Sequence, residues 1–199
     1  MRASAPVIPA LAAALLAMAC FGTGTPSYFT LGSATPESGA PLAAHPELGL
    51  AVGPVDLPRY LDRPEIVTRD GSHELRIDDD HRWAGSLRTD IQRVVADDLA
   101  RLLGTPRVAI YPDQPRFTAT YRVLLDVREF EALEGASVRL RARWTIAAVP
   151  DGHALAVDEA VIVQPLPSAS YENVVAAQSA ALGTLSHQIA ERIASLDSH

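Results

Sequence analysis

The chain has 199 residues, of which 48% are hydrophobic and 21% charged, and a formal net charge of −7. Its basic residues are all arginines; there is no lysine. An acidic surface without a basic block argues against nucleic acid as a partner and against electrostatic adsorption to anionic lipid. Ordinary solubility charge accounts for most of this balance.

Met1-Arg2 supplies a short positive start, and an apolar run, Ile8 to Ala19, follows. The run is too short to span a bilayer, which takes about 20 apolar residues, and it ends in small residues as a secretory leader does. The only cysteine, Cys20, comes next. One cysteine closing an apolar leader resembles the lipobox of bacterial lipoproteins, although Ala17 stands where leucine is preferred. Residues 1–19 are therefore expected to be a lipoprotein signal peptide, with Cys20 acylated after cleavage. A plain cleavage site with an incidental cysteine is the alternative. Phe21, not aspartate, follows the cysteine, which in the lipoprotein pattern favours the outer membrane. Residues 20–48 are rich in Gly, Pro, Ser, Thr and Ala and are expected to be a tether, interrupted by a short strand at Tyr28-Phe29-Thr30-Leu31.

A periplasmic domain is expected over 49–199. Leu50 to Val55 forms a strand, and Leu57-Pro58-Arg59-Tyr60-Leu61 a proline-broken loop. Glu65 to Arg69 and Glu74 to Ile77 flank Asp70-Gly71, a hairpin signal. From 86 to 103, Leu87, Ile91, Val94, Val95, Leu99, Leu102 and Leu103 repeat at three and four residues, with Ser86 as N-cap and Gly104 and Pro106 as the stop. After a short strand at Val108 to Tyr111, Tyr121 to Val127 and Val138 to Ala148 alternate apolar with charged residues, as half-buried strands do. A turn around Glu134-Gly135 sets Asp126 opposite Arg143 and Val127 opposite Ala142, so that the apolar sets share a face. Pro150-Asp151-Gly152 turns the chain into a strand carrying Leu155, Val157, Val161 and Val163. A second helix, about 170–195, carries Tyr171, Val174, Val175, Gln178, Ala181, Leu182, Leu185, Ile189 and Ile193 on one stripe. The fold class is α+β: a two-layer, mostly antiparallel sheet with two amphipathic helices packed on one face.

The sequence offers little chemistry. Gly22 and Gly24 lack the strand–turn–helix setting of a phosphate loop. Ser72-His73 and Ser186-His187 sit on no sharp strand-to-helix elbow. Asp78-Asp79-Asp80-His81 lacks the alternating ligand spacing of a calcium loop and is expected to be a solvated turn. No catalytic residue, metal ligand or cofactor is assigned. The row Arg139, Arg141, Arg143 fits anionic groups of a partner or lipid, or cross-strand pairing with Asp126 and other acids.

The stretch from Val52 to Arg69 resembles the signature of the ABC-type transport auxiliary lipoproteins, the family of the paraquat-inducible (PqiC-like) lipoproteins. Arg82-Trp83-Ala84, the Tyr-Phe-Thr-Leu cluster and the closing helix with Ala177-Gln178-Ser179-Ala180-Ala181-Leu182 fit the same pattern. Glu65 stands where the family pattern has glutamine. The resemblance implies an enzymatically inactive α+β domain held at the outer membrane, working with MCE-type transport proteins that carry lipid between membranes. Homo-oligomerisation is compatible with it.

Within that frame Leu57, Pro58, Arg59, Tyr60 and Leu61 are the candidate partner-binding residues. Tyrosine and arginine favour interface hot spots, and a proline-stiffened loop loses little entropy on binding. No apolar periodicity places Tyr60 in a buried stripe, so Arg59 and Tyr60 are expected to contribute little to folding. A loop whose Tyr60 and Leu61 merely cover the sheet edge is the competing reading. Two functions stay open: a docking and assembly module, or a lipid or small-ligand carrier with an internal apolar cavity. A carrier needs surplus apolar surface, which the two amphipathic helices leave little of.

Overall fold

In the computed structural model of the protein, the residues described are 25–33, 42, 44–113 and 116–197. The leader and Cys20 lie outside them. The elements, in order, are β1 (Ser27–Phe29), β2 (Leu50–Asp56), β3 (Glu65–Asp70), β4 (Glu74–Trp83), α1 (Leu87–Leu102), β5 (Val108–Ile110), β6 (Tyr121–Leu133), β7 (Ser137–Ala148), β8 (Ala154–Pro165) and α2 (Tyr171–Asp197).

The class is α+β, built on one curled, mixed sheet. β6, β7 and β8 form an antiparallel meander. The other side of β6 is shared: β2 pairs with its first half and β3 with its end, both parallel. β4 and β1 continue outward from β3, and β5 from β2. Most paired residues lie in the antiparallel ladders β3–β4, β6–β7 and β7–β8. The register read from alternation is present: Asp126 faces Arg143 and Val127 faces Ala142. A bulge then inserts Arg128 between Val127 and Glu129.

α1 packs on β2 and β5, α2 on β7 and β8, and the helices against each other. The α1 stripe, Leu87, Ile91, Val94, Val95, Leu99, Leu102 and Leu103, is buried to the last member. Ser86 caps the helix, and Gly104, at φ +57°, takes the left-handed backbone that ends it. The buried amide of Gln92 donates to the carbonyls of Val52 (2.8 Å) and Tyr111 (2.7 Å), tying α1 to β2. Only a glycine fits beside it: a Cβ on Gly53, at φ +109°, would lie 2.2 Å from Gln92 Nε2.

Three local expectations change. Asp78 to His81 is no turn but the continuation of β4, where Ser27 of β1 pairs with His81. In β8 the buried residues are Ala160 and Ile162, while Val157, Val161 and Val163 face solvent. The described parts of 20–48 are not free chain: Leu31 and Leu48 belong to the core. The Leu31 amide and the Thr30 hydroxyl donate to Asp90 of α1, at 3.2 and 3.1 Å.

Candidate docking surfaces

The loop after β2 is held from both ends. Arg88 of α1 donates to the Val55 carbonyl and pairs with Asp62 at 2.9 Å. Within the loop, the amides of Leu61 and Asp62 both donate to the Pro58 carbonyl, closing a tight turn with Arg59 near its tip. Tyr60 and Leu61 are covered, as in the reading that sets them over the sheet, and Tyr60 is not the freely exposed side chain expected. Leu61 is only 2% exposed and sits in the core, and Tyr60 is half-buried. Leu57 and Tyr60 pack against the same cluster. Arg59 alone is exposed; Pro58 is half-buried.

Tyr60 is drawn inward by the β6 bulge. A bulged residue drops out of the ladder, and the Tyr60 hydroxyl reaches the carbonyl of that residue, Arg128, at 3.1 Å. The same hydroxyl lies 3.2 Å from Glu131 Oε2. The Glu131 carboxylate is 0% exposed and collects further donors: the Phe130 amide at 2.7 Å, and Nε and Nη2 of Arg69 at 2.9 and 2.6 Å. A buried carboxylate needs such a set, because an unpaired one costs several kcal/mol. Burial, then the neighbouring Glu131 charge, push the Tyr60 phenol up to about 12.

A second cluster fastens β1. Tyr171, at the start of α2, stacks on His81 with ring centroids 3.8 Å apart and donates to Asp78 at 2.9 Å. Phe29 of β1 approaches both rings. Burial, then the Asp78 contact, raise the Tyr171 phenol to about 12. Asp78 and His81 are thus occupied within the fold. Among the described residues no group of three or more His, Cys, Asp or Glu is placed to hold a metal ion.

The outer face of β6–β8 resolves the arginine row. Arg141 pairs with Glu159 at 2.6 Å and lies 3.8 Å from Glu129; Arg139 lies 3.7 Å from Glu129. Cross-strand pairing thus takes up two of the three arginines, while no ion pair joins Arg143 to a described residue. Ser186 faces the core with no hydrogen-bond partner, whereas His187 points to Glu191, so the pair forms no catalytic dyad. A cleft of about 680 Å³ beside Tyr60 is lined by Arg69, Arg128, Glu129, Glu134 and Arg139, a polar wall unsuited to acyl chains.

Sequence reasoning missed Glu131 and Arg69. Their alternation in β6 and β3 marks wet-face residues, and nothing local announces that a loop folds over them. Solved structures share this fold, two of them over most of the chain. One is an uncharacterized protein with TM-score 0.71 and 19% identity, covering 85% of this chain and 99% of that one. The other is protein XCC0632 from Xanthomonas campestris, with TM-score 0.69 and 19% identity, covering 82% and 92%. No curated protein matches the chain. The family model described as "ABC-type transport auxiliary lipoprotein component" matches residues 29–190.

Proposed function

The chain belongs to the ABC-type transport auxiliary lipoprotein family, and from that membership we propose that it is a non-catalytic docking component of an MCE-type lipid transport system. It is anchored through acylated Cys20 to the periplasmic face of the outer membrane. Two or three acyl chains, at ~0.8 kcal/mol for each buried methylene, make that anchoring effectively permanent. β1 gives the anchor a mechanical role. Because Ser27 is paired with His81, the distance from an anchor at Cys20 to the domain cannot exceed the length of seven residues, about 25 Å. The domain is thereby kept close to the bilayer surface.

The observation that carries the docking reading is the loop from Leu57 to Leu61. Its backbone is pinned by Arg88 and by the Tyr60–Glu131 contact, and it projects Arg59 into solvent. A pre-ordered loop with an exposed arginine binds without a large ordering cost. The division of labour is that Leu61 and Tyr60 set the loop and Arg59 meets the partner. The carrier alternative finds no support in the cleft beside Tyr60, which is walled by charge. Co-purification from detergent-solubilised membranes tests the proposal: the wild-type lipoprotein brings down transport components, and Arg59→Ala loses them while remaining folded. Equal recovery with the variant would remove Arg59 from the interface.

A further inference from the structure

We infer that the free edge of β8, with the acidic cleft between β8 and α2, binds an extended segment of another protein whose alternate apolar residues lead into basic ones. The inference rests on the docking reading for the existence of a partner, but it concerns a different surface from the Arg59 loop.

Among the described residues β8 pairs with β7 alone, which leaves one side of a twelve-residue strand without a described ladder partner. Proteins blunt such edges with inward-pointing charges, prolines or lysines. In β8 these devices stand towards the two ends. Asp158 lies opposite the buried Trp144 and so falls on the inner face, and Pro165 closes the strand. Between them Glu159 stands on the outward row, paired with Arg141, and Ala160 to Gln164 carry neither charge nor proline. Over this stretch Val161 and Val163 present 61% and 54% of their surface to solvent, and Val157 lies further along the same row at 57%. An edge strand with exposed apolar residues is a template for another strand, and a guest running antiparallel would cover them.

The inner side fixes what the guest can be. Beside Gln164 the flank of α2 is small: Gln164 Nε2 donates to Thr184 at 3.3 Å, with Ala180 one turn earlier. Guest residues opposite Ile162 and Ala160 must therefore be small. Towards Asp158 the wall changes. A cleft of about 370 Å³ opens there, lined by Trp144, Asp158, Gln188, Glu191, Arg192 and Ser195. Asp158 makes no ion pair with a described residue; its Oδ1 accepts only the Glu159 amide, at 2.8 Å. With Arg192 counted, the cleft keeps one surplus negative charge. A lysine or arginine opposite Asp158 would lay its stem on Trp144 and its cation between Asp158 and Glu191. β8 itself, from Ala154 to Pro165, has two acids and no base. A second copy pairing through β8 brings no base of its own strand to this cleft, so charge complementarity selects a foreign chain as the occupant.

The probe is a fluorescent peptide, Thr-Val-Ala-Val-Ala-Lys-Lys-Thr, titrated into the full-length chain in detergent and followed by anisotropy. Its counterpart replaces both lysines by glutamate. The expected result is saturable binding of the lysine peptide, with slowed amide exchange confined to residues 160–164 and their neighbours. Asp158→Lys should weaken that peptide on the order of tenfold and strengthen the glutamate peptide, a swap that a general loss of structure cannot produce. Val161→Asp should abolish binding of both peptides with an unchanged melting temperature. No saturable binding, no swap, or exchange protection elsewhere would overturn the inference. So would a wild-type dimer that Val161→Asp dissolves, since the edge would then belong to a second copy. Peptide binding and the Arg59 pull-down are read separately, so that failure of one leaves the other standing.

Discussion

Tyr60→Phe separates the two ways of describing the loop. The substitution keeps the ring, which packs against the core cluster, and deletes the hydroxyl that lies 3.1 Å from the Arg128 carbonyl and 3.2 Å from Glu131. Glu131 retains the Arg69 guanidinium and the Phe130 amide, so its charge stays paired. The bulged carbonyl of Arg128 and one lone pair of a buried carboxylate each lose a donor. Hydrogen bonds to charged groups contribute about 1.5–3 kcal/mol. Since one proton is shared and the ring is only half-buried, about 1–2 kcal/mol is the expected loss. For a domain of this size each kcal/mol lowers Tm by about 2–4 °C. Tyr60→Phe should therefore melt a few degrees below wild type by circular dichroism, with a matching fall in the urea midpoint. Arg59→Ala, at the exposed tip, should stay within about 0.5 kcal/mol of wild type. A Tyr60→Phe protein that melts with wild type, or an Arg59→Ala protein that loses as much, would refute this division of roles within the loop.

Leu99→Asp puts a charge at a position 0% exposed beneath the sheet and should cost about 4 kcal/mol or more, leaving no cooperative melt; an unchanged transition would mean a misassigned face. Arg63 first, then Arg82, hold Glu65 below its ordinary carboxyl value, and contacts from His81, the Asp80 amide and Tyr171 outweigh burial to do the same for Asp78. A depressed folded value contributes stability above the unfolded pKa and loses it as pH falls through the folded one. Stability should thus drop on acidification below the ordinary values of 4.5 and 3.8, and less steeply in Glu65→Gln; identical slopes would remove Glu65 from the account. Tyr60 and Tyr171 carry the opposite sign: their stabilisation is complete below pH 10 and lost as pH rises towards about 12, which tyrosinate absorbance read alongside unfolding can follow. Cys20→Ser should release the protein from membranes, and an unmodified Cys20 in wild-type mass spectra would remove the anchor.

Residues whose environment follows from their own periodicity were legible in the sequence. The α1 stripe follows from apolar residues at three- and four-residue spacing and the β6–β7 register from alternation of apolar with charged side chains, and both lie where expected. β8 was harder because both of its faces are apolar: Ala160 and Ile162 on one, Val157, Val161 and Val163 on the other. With no polar contrast from Ala160 to Val163, the hairpin register with β7 decides which row is buried. The Tyr28-Phe29-Thr30-Leu31 cluster marks β1 locally, but its parallel pairing with a strand some fifty residues away leaves no local signal. Tyr60 looked free because a loop has no period, and the bulge that captures its hydroxyl arises in β6. Long-range contacts of this kind explain why the loop was found by sequence while the Tyr60–Glu131–Arg69 set that holds it was not.

Docking through the loop after β2 is the central claim, and photocrosslinking from position 59 tests it most directly. A photoreactive residue replacing Arg59 in the intact lipoprotein, irradiated in native membranes, should give a discrete adduct with a component of the transport system, identified by mass spectrometry. The same residue at position 151, in the exposed β7–β8 turn, should give none. A folded, membrane-bound protein that crosslinks equally from both positions, or from neither, would contradict the account.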